Sequence, residues 1–412
     1  MINNLYYGWW VVIACFIINL YVGGVNFFSF TAFFEPIQHE FGWSYTQISL
    51  ATSLRGLEMG IFAPIVGFLV DRFGSRKLLL SGIIIMGSGL LLLSFTQSLL
   101  MFYLCIVFIA FGAGGCTTVV TMTAVASWFR KNVGLAIGFA ACGFGAGGLI
   151  IPLVVSLIDV WGWRSTLVIL GVVMFFLGIP LSFIVRDRSE KLGWNSDRLI
   201  AKSSGTSSHG ENFKQTKAVF IETIKRRSYL YLIIAETVRM MTITAVFTHI
   251  MPYLSNIGMP RATAGVVAAA LPLVSIIGRL GFGWLGDRYD KRIVLATVIF
   301  FTSAGIFTFC FVHSFWLLML FVLLFAPGHG GGAVLRVAIL QEYFGMASFG
   351  KMLGLMLGFG AIGGIIGPTL AGWVFDILGS YSLFWYGLSI ISLITIFFIM
   401  KIEPISSPQE TQ

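Results

Sequence analysis

Runs of about twenty apolar residues, the length that crosses ~30 Å of hydrocarbon at 1.5 Å per helical residue, recur along almost the whole chain. Twelve can be marked, at residues 9–30, 46–70, 77–96, 101–126, 132–157, 165–185, 229–250, 262–285, 292–312, 315–340, 352–375 and 381–400. No soluble core would bury so much: of 412 residues, 57% are hydrophobic and only 10% charged, against roughly a quarter charged in soluble domains. A helix satisfies its backbone polar groups without water, so the expected fold class is an all-α membrane protein with twelve transmembrane helices. The first run has neither a basic leader nor a small-residue cleavage site before a polar segment, and reads as a retained helix.

The net charge of +9 raises the question of a nucleic-acid partner, and the positions of the charges answer it. With the N-terminus inside, 20 of the 26 Lys and Arg fall in inner loops and the tail. Arg164 and Arg261 lie in outer loops, and Arg55, Arg239, Arg279 and Arg336 lie within runs. That asymmetry is the positive-inside pattern of a bilayer protein. It implies a multi-pass protein of the plasma (cytoplasmic) membrane with both termini cytoplasmic and no nucleic-acid partner. The five cysteines (Cys15, Cys105, Cys116, Cys142, Cys310) all sit in apolar runs, without metal-ligand spacing or a disulfide framework. No Gly-Lys-Ser/Thr loop, HExxH pair or CxxC occurs, so no metal, cofactor or catalytic residue is expected.

One long polar stretch, residues 186–227 around KSSGTSSHGEN, divides the runs six and six and reads as a cytoplasmic linker. The domains expected are residues 1–185, this linker, and residues 228–412 with a short tail. The halves repeat. GFLVDRFGSR at 67–76 recurs as GWLGDRYDKR at 283–292, a shift of 216 residues that carries Gly67 to Gly283, Asp71 to Asp287 and Arg76 to Arg292. The same shift carries Gly147, Gly148 and Pro152 to Gly363, Gly364 and Pro368. A duplicated six-helix bundle is the expected build of a transporter whose two halves rock about a site between them. The glycines at helical spacing in 138–148 and 354–364 permit close helix contact, with or without motion.

GFLVDRFGSRK resembles the loop signature between the second and third helices of the major facilitator superfamily, and its second copy lies where that fold repeats it. The resemblance implies that Asp71, Arg72, Arg76, Asp287, Arg288 and Arg292 form cytoplasmic gate contacts. YGWWVV (7–12), FEPIQHEFGWS (34–44) and WFRKNVGLAIGFAACGFGAG (128–147) are similar to the monocarboxylate porter and oxalate–formate antiporter branch.

Arg279 lies eight residues before Asp287, about 12 Å along the helix and near the middle of the membrane. A midplane arginine costs roughly 2.5–3.5 kcal/mol on insertion scales. Its side chain leans toward the helix N-terminus, away from the nearer surface, so it does not escape by snorkelling. A salt bridge to Glu236 or Glu58 is one reading and a substrate carboxylate the other, since the guanidinium fork matches a carboxylate. The resemblance favours the second, because related carboxylate porters place their substrate-binding arginine at this position. Two departures matter. Lactate porters carry an Asp four residues earlier, where Ser275 stands here. Oxalate exchangers carry a second cation in the eleventh helix, where this chain has glycines around Gly360. One central cation favours a singly charged substrate.

Glu236 and Arg239 share a helical face and read either as an internal ion pair or as a coupling site in which Glu236 takes a proton. Arg55 and Glu58 have the same spacing and read as a structural pair. Arg336 reads as a cap or latch toward the inner end. His329 in PGHGGG, Asn26 and Phe28 in the first helix, and Thr117, Thr118 and Thr121 in the fourth are candidates to line the cavity, because in the resembled superfamily the first, fourth, seventh and tenth helices do so. The expectation is a monomeric secondary active transporter, not an enzyme. It would move a small carboxylate, a monocarboxylate such as lactate or pyruvate, by alternating access, with proton coupling open. The alternatives are an exporter of apolar or cationic compounds on the same fold, with Arg279 structural, and a membrane receptor or membrane-embedded enzyme.

Overall fold

The computed structural model describes residues 7–55, 63–116, 118–129, 133–185, 226–344 and 349–403. Among them the regular structure is helical throughout. Nine helical segments among the described residues are long and apolar enough to cross a membrane. The segment Leu135–Ile184 is two spans, because Gly162 breaks it with a φ of 77°. The pairs Tyr45–Leu54 with Ala63–Phe73 and Leu99–Gly114 with Thr118–Trp128 fill the positions of the second and fourth spans, which gives the expected twelve. The later spans are Arg227–Asn256, Arg261–Arg288, Lys291–Phe309, Phe315–Phe344, Phe349–Leu378 and Ser382–Met400, the seventh to the twelfth. Most of the linker, residues 186–225, lies outside the described residues.

The first span runs further than its apolar run. After Tyr7–Val22 it widens into a π-helix over Gly23–Phe28 and continues through Phe30–Phe41. Phe30, Phe33, Phe34 and Ile37 are buried along one face of this extension, at the spacing of an amphipathic helix. A hydropathy reading ends the run where polar residues begin on the other face. Gly42, with a φ of 65°, then closes the helix. Gly258, its counterpart under the 216-residue shift, has a φ of 84°. Both turns need the left-handed backbone that glycine adopts without penalty, so the repeat extends to backbone conformation.

The repeated glycines mark close contacts. A Cβ at Gly147 would stand 2.5 Å from the Gly24 nitrogen, and one at Gly363 would stand 2.0 Å from the Thr237 carbonyl oxygen. In each half, then, the fifth helix of the repeat lies directly on the backbone of the first.

The chain forms two compact units that do not follow the sequence halves. One comprises residues 1–204, 245–273 and 368–377, the other residues 205–244, 274–367 and 378–412. In the first unit, parts of the seventh, eighth and eleventh spans are tied to the first two. Asp376 accepts hydrogen bonds from the backbone N–H of Tyr45 (2.9 Å) and Thr46 (2.8 Å) and from the Thr46 hydroxyl (2.5 Å). It thereby caps a helix start that Ser44 and Gln47 also close with a capping box. Arg261 pairs with Asp159 at 3.1 Å and Glu35 at 3.6 Å. His249 is fully buried, its Nε2 lying 2.9 Å from the Pro368 carbonyl and 3.0 Å from the Ser49 hydroxyl. A carbonyl only accepts, so Nε2 carries the proton.

In the second unit a core of Tyr229, Leu232, Val298, Leu335, Ile339, Met352 and Met356 packs the seventh, ninth, tenth and eleventh spans together below the site.

Candidate functional site: a buried arginine cluster

Glu236 and Arg239 stand three residues apart on the seventh span. Arg239 donates from Nε to Glu236 Oε2 and from Nη2 to Oε1, both at 2.8 Å. Arg336 reaches across from the tenth span and donates from Nη1 to the same Oε1. Both carboxylate oxygens therefore accept charge-assisted bonds. The Glu236 side chain is 1% exposed, whereas Arg239 and Arg336 are 13% and 19% exposed. The acid is sealed beneath two guanidinium groups that still reach open space.

Glycines make room for this arrangement. A Cβ at Gly360 would stand 3.4 Å from Glu236 Cγ, and one at Gly332 would stand 3.1 Å from Arg239 Cδ. The glycine-rich stretch PGHGGG also brings the tenth span onto the eighth. A Cβ at Gly330 would lie 1.9 Å from the Ser275 carbonyl and 3.0 Å from the Arg279 nitrogen, so the two backbones touch beside Arg279. Ser275 itself is fully buried. His329 lies within electrostatic reach of Arg279, Arg239 and Arg336, and Arg336 within reach of Arg239, Glu236 and Arg279. Arg239 and Arg336 thus share one carboxylate, with His329 and Arg279 within electrostatic reach of Arg336, which stands against the reading of Arg279 as the lone central cation. By helical rise, Glu236, Arg279 and Arg336 each lie roughly 12–14 Å in from the nearer end of their span.

Of the candidates read from sequence, Arg279, His329, Glu236 and Arg239 lie in this cluster. Arg336 was read as a cap; its role depends on which face of the seventh span meets the tenth, and spacing along one helix does not show that. The remaining described candidates within the spans belong to the other unit. Thr121 is fully buried, with its hydroxyl 3.2 Å from the Asn19 side chain, which also donates to the Ala140 carbonyl. Phe28 is 2% exposed and packs edge-on or tilted against Phe27, Phe144 and Phe247. Arg55 donates to the Asn26 carbonyl and lies 4.3 Å over the Phe30 ring. Asn26 and Arg55 line a small, mostly apolar cavity with Val25, Phe33 and Ile37. Thr117 and Glu58, and the side chains of Thr118 and Asp71, lie outside the described residues.

The basic residues of the repeated loop use ring faces and a different acid from the one the motif suggests. Arg72 lies over Phe73, Arg76 over Phe183 at 4.9 Å, and Arg288 over Trp284 at 3.8 Å. Asp287 is exposed. Arg292 pairs with Asp290 at 2.7 Å, and Tyr343 donates to the same carboxylate at 3.2 Å. The Arg292 hydrogen bonds hold the Asp290 carboxyl down to about 2. Asp290 also caps the following helix by accepting from the Arg292 N–H.

Helical spans of this number, an internal duplication and a charged cluster held between spans define a polytopic membrane transporter. The Major Facilitator Superfamily profile matches residues 14–280 and 232–412, and the chain belongs to that superfamily; it is a transporter rather than an enzyme. It is 25% identical to monocarboxylate transporter 12 of Xenopus laevis over 396 residues, covering 91% of this chain and 84% of that protein. It is likewise 25% identical to monocarboxylate transporter 13 of Rattus norvegicus, with 91% and 84% covered. Its fold is similar to the inward-facing, unoccupied structure of a bacterial homologue of the human lysosomal transporter Spinster. The TM-score is 0.74 at 16% identity, over 97% of this chain and 96% of that one.

Proposed function

We propose that the chain is a secondary active transporter that moves a small organic anion, a monocarboxylate of lactate or pyruvate size, by alternating access. The observation that carries this reading is the charge of the cluster: Arg239 and Arg336 share a single buried carboxylate, Glu236, and Arg279 lies within electrostatic reach of Arg336. Excess guanidinium charge at membrane depth is costly and becomes less so when an anion enters. Arg279 takes the substrate carboxylate through its planar fork, and the field of its neighbours draws anions into an otherwise apolar path. The printed names of the relatives, monocarboxylate transporters, agree with this chemistry. An exporter of cations has no use for such a field.

The distribution of Lys and Arg supports a plasma-membrane protein with both termini cytoplasmic. Each of the two repeated loops, around Asp71 and around Asp287, serves cytoplasmic gating within its own unit. Glu236, bonded by two arginines, acts as a fixed counter-ion, so any coupled proton travels on another group. The test is uptake of radiolabelled lactate or pyruvate into proteoliposomes. Wild-type protein accumulates label, Arg279→Ala does not, and Arg279→Lys keeps a fraction because it retains charge but loses the fork. Equal uptake by Arg279→Ala contradicts the proposal.

A further inference from the structure

The first and seventh spans repeat with one residue out of step. A Cβ at Gly147 would meet the Leu20 carbonyl oxygen and the Gly24 nitrogen, and one at Gly363 would meet the Thr237 carbonyl oxygen and the Met241 nitrogen. These contacts pair Gly24 with Met241, a shift of 217 residues, whereas Pro36 pairs with Pro252 and Gly42 with Gly258, a shift of 216. The first span therefore holds one residue more than the seventh between Gly24 and Pro36. The surplus falls in the π-helix Gly23–Phe28, where the Ser29 N–H donates to the Gly24 carbonyl five residues back at 2.8 Å. The seventh span is α-helical throughout Arg227–Asn256.

The widened turn leaves polar groups unspent. Asn26 Oδ1 and Ser29 Oγ are buried with no hydrogen-bond partner among the described residues, a costly state that a second conformation can relieve. Arg55 donates to the Asn26 carbonyl inside the same turn, and the small cavity beside Asn26 gives the segment room to rearrange. Beyond the turn, within the first unit, the span is tied to the seventh and eighth. The Thr31 hydroxyl accepts from the Met251 N–H at 3.2 Å, the Ala32 carbonyl accepts from Arg261, and Glu35 pairs with Arg261 at 3.6 Å. The Phe28 ring lies 5.2 Å from that of Phe247. Closing the π-helix to a plain α-helix would turn everything after it by one residue, about 100°, and carry these groups away from their partners.

We propose that Gly23–Phe28 is a register hinge: its π form holds the first span against the seventh and eighth at this end of the first unit, and its conversion to α-helix releases them. Arg55 locks the π form through the Asn26 carbonyl. The role in transport rests on the alternating access proposed above, in which each end of the protein opens in turn.

The test is hydrogen–deuterium exchange of the purified full-length protein in lipid nanodiscs, read by mass spectrometry. Conversion breaks the backbone bonds of the turn, so amides of residues 24–31 are expected to exchange at least ten-fold faster than those of 241–247 in the seventh span. Arg55→Gln is expected to speed exchange at 24–31 several-fold further without changing the twelfth span. Deletion of Val25 removes the surplus residue; it is expected to slow the segment to the rate of the seventh span and to cut uptake of labelled lactate or pyruvate to below a tenth. Equal exchange in the two wild-type segments overturns the hinge, even if the deletion variant folds poorly, and unchanged exchange in Arg55→Gln overturns the lock. Slow exchange with full uptake after the deletion overturns the role in transport. Absence of uptake by the wild type removes the proposed function, and the exchange comparison still decides the hinge.

Discussion

Arg336 and Glu236, 100 residues apart in the chain, form an ion pair that ties the tenth span to the seventh. Glu236 is almost wholly enclosed, so removing Arg336 leaves the buried carboxylate with the Arg239 fork alone, a loss below the about 3–5 kcal/mol of a buried pair broken outright. Arg336→Ala is therefore expected to lower the thermal midpoint of the detergent-solubilised protein markedly. The double variant Arg336→Ala/Glu236→Gln is expected to recover part of the loss. Scanning fluorimetry of both variants reads this, and a double variant no more stable than the single would show that the pair is not coupled.

The Asp376 carboxylate, bonded to two backbone N–H groups and a hydroxyl of residues 45 and 46, ties the eleventh span to the start of the second. Hydrogen bonds to a charged group contribute roughly 1.5–3 kcal/mol. Asp376→Ala is expected to loosen this end of the first unit. Reaction of a cysteine introduced by His249→Cys with a membrane-impermeant maleimide should then speed up several-fold. Unchanged labelling would show that the contact does not control access.

Asp290 supplies a pH signature outside the spans. Its carboxyl is held down to about 2 by Arg292, against an ordinary value of 3.8. A depressed value means that the stabilisation is complete above the ordinary value and is lost as the pH falls from there toward about 2. The stability difference between wild type and Asp290→Asn is expected to be flat from neutral pH to about 4 and to shrink below it. Thermal midpoints across that range check the sign, and a difference that grows on acidification would contradict it.

The glycines of the eleventh span differ sharply in what a methyl group would meet. At Gly363 it would lie 2.0 Å from a backbone oxygen, whereas at Gly358 nothing lies within 4 Å. Gly363→Ala is expected to cost about 1–3 kcal/mol through overpacking. Gly358→Ala is expected to be neutral or slightly stabilising, because alanine is the better helix former. Paired denaturation or midpoint measurements separate the two.

The scaffold was legible because a bilayer imposes its thickness on the sequence and because a duplicated unit repeats its turn and contact residues at one offset, as Gly42 with Gly258 and Gly147 with Gly363 do. Arg279 was legible as a charge at the wrong depth. What was hidden is how faces from different spans meet. Spacing paired Glu236 with Arg239 but carried no sign that Arg336 closes on the same oxygen. The glycines near Gly360 read as a missing cation, whereas the absent side chain of Gly360 leaves room for Glu236. Asp290 was overlooked because the repeat drew attention to Asp287, whereas Arg292 turns back to the residue that caps its own helix.

Binding of a small carboxylate to purified wild-type protein and to Arg279→Ala, followed by calorimetry in the same buffer, tests the central claim most directly. The account predicts saturable binding by the wild type and at least a hundred-fold weakening in a variant that remains folded. Undiminished binding by folded Arg279→Ala would contradict it.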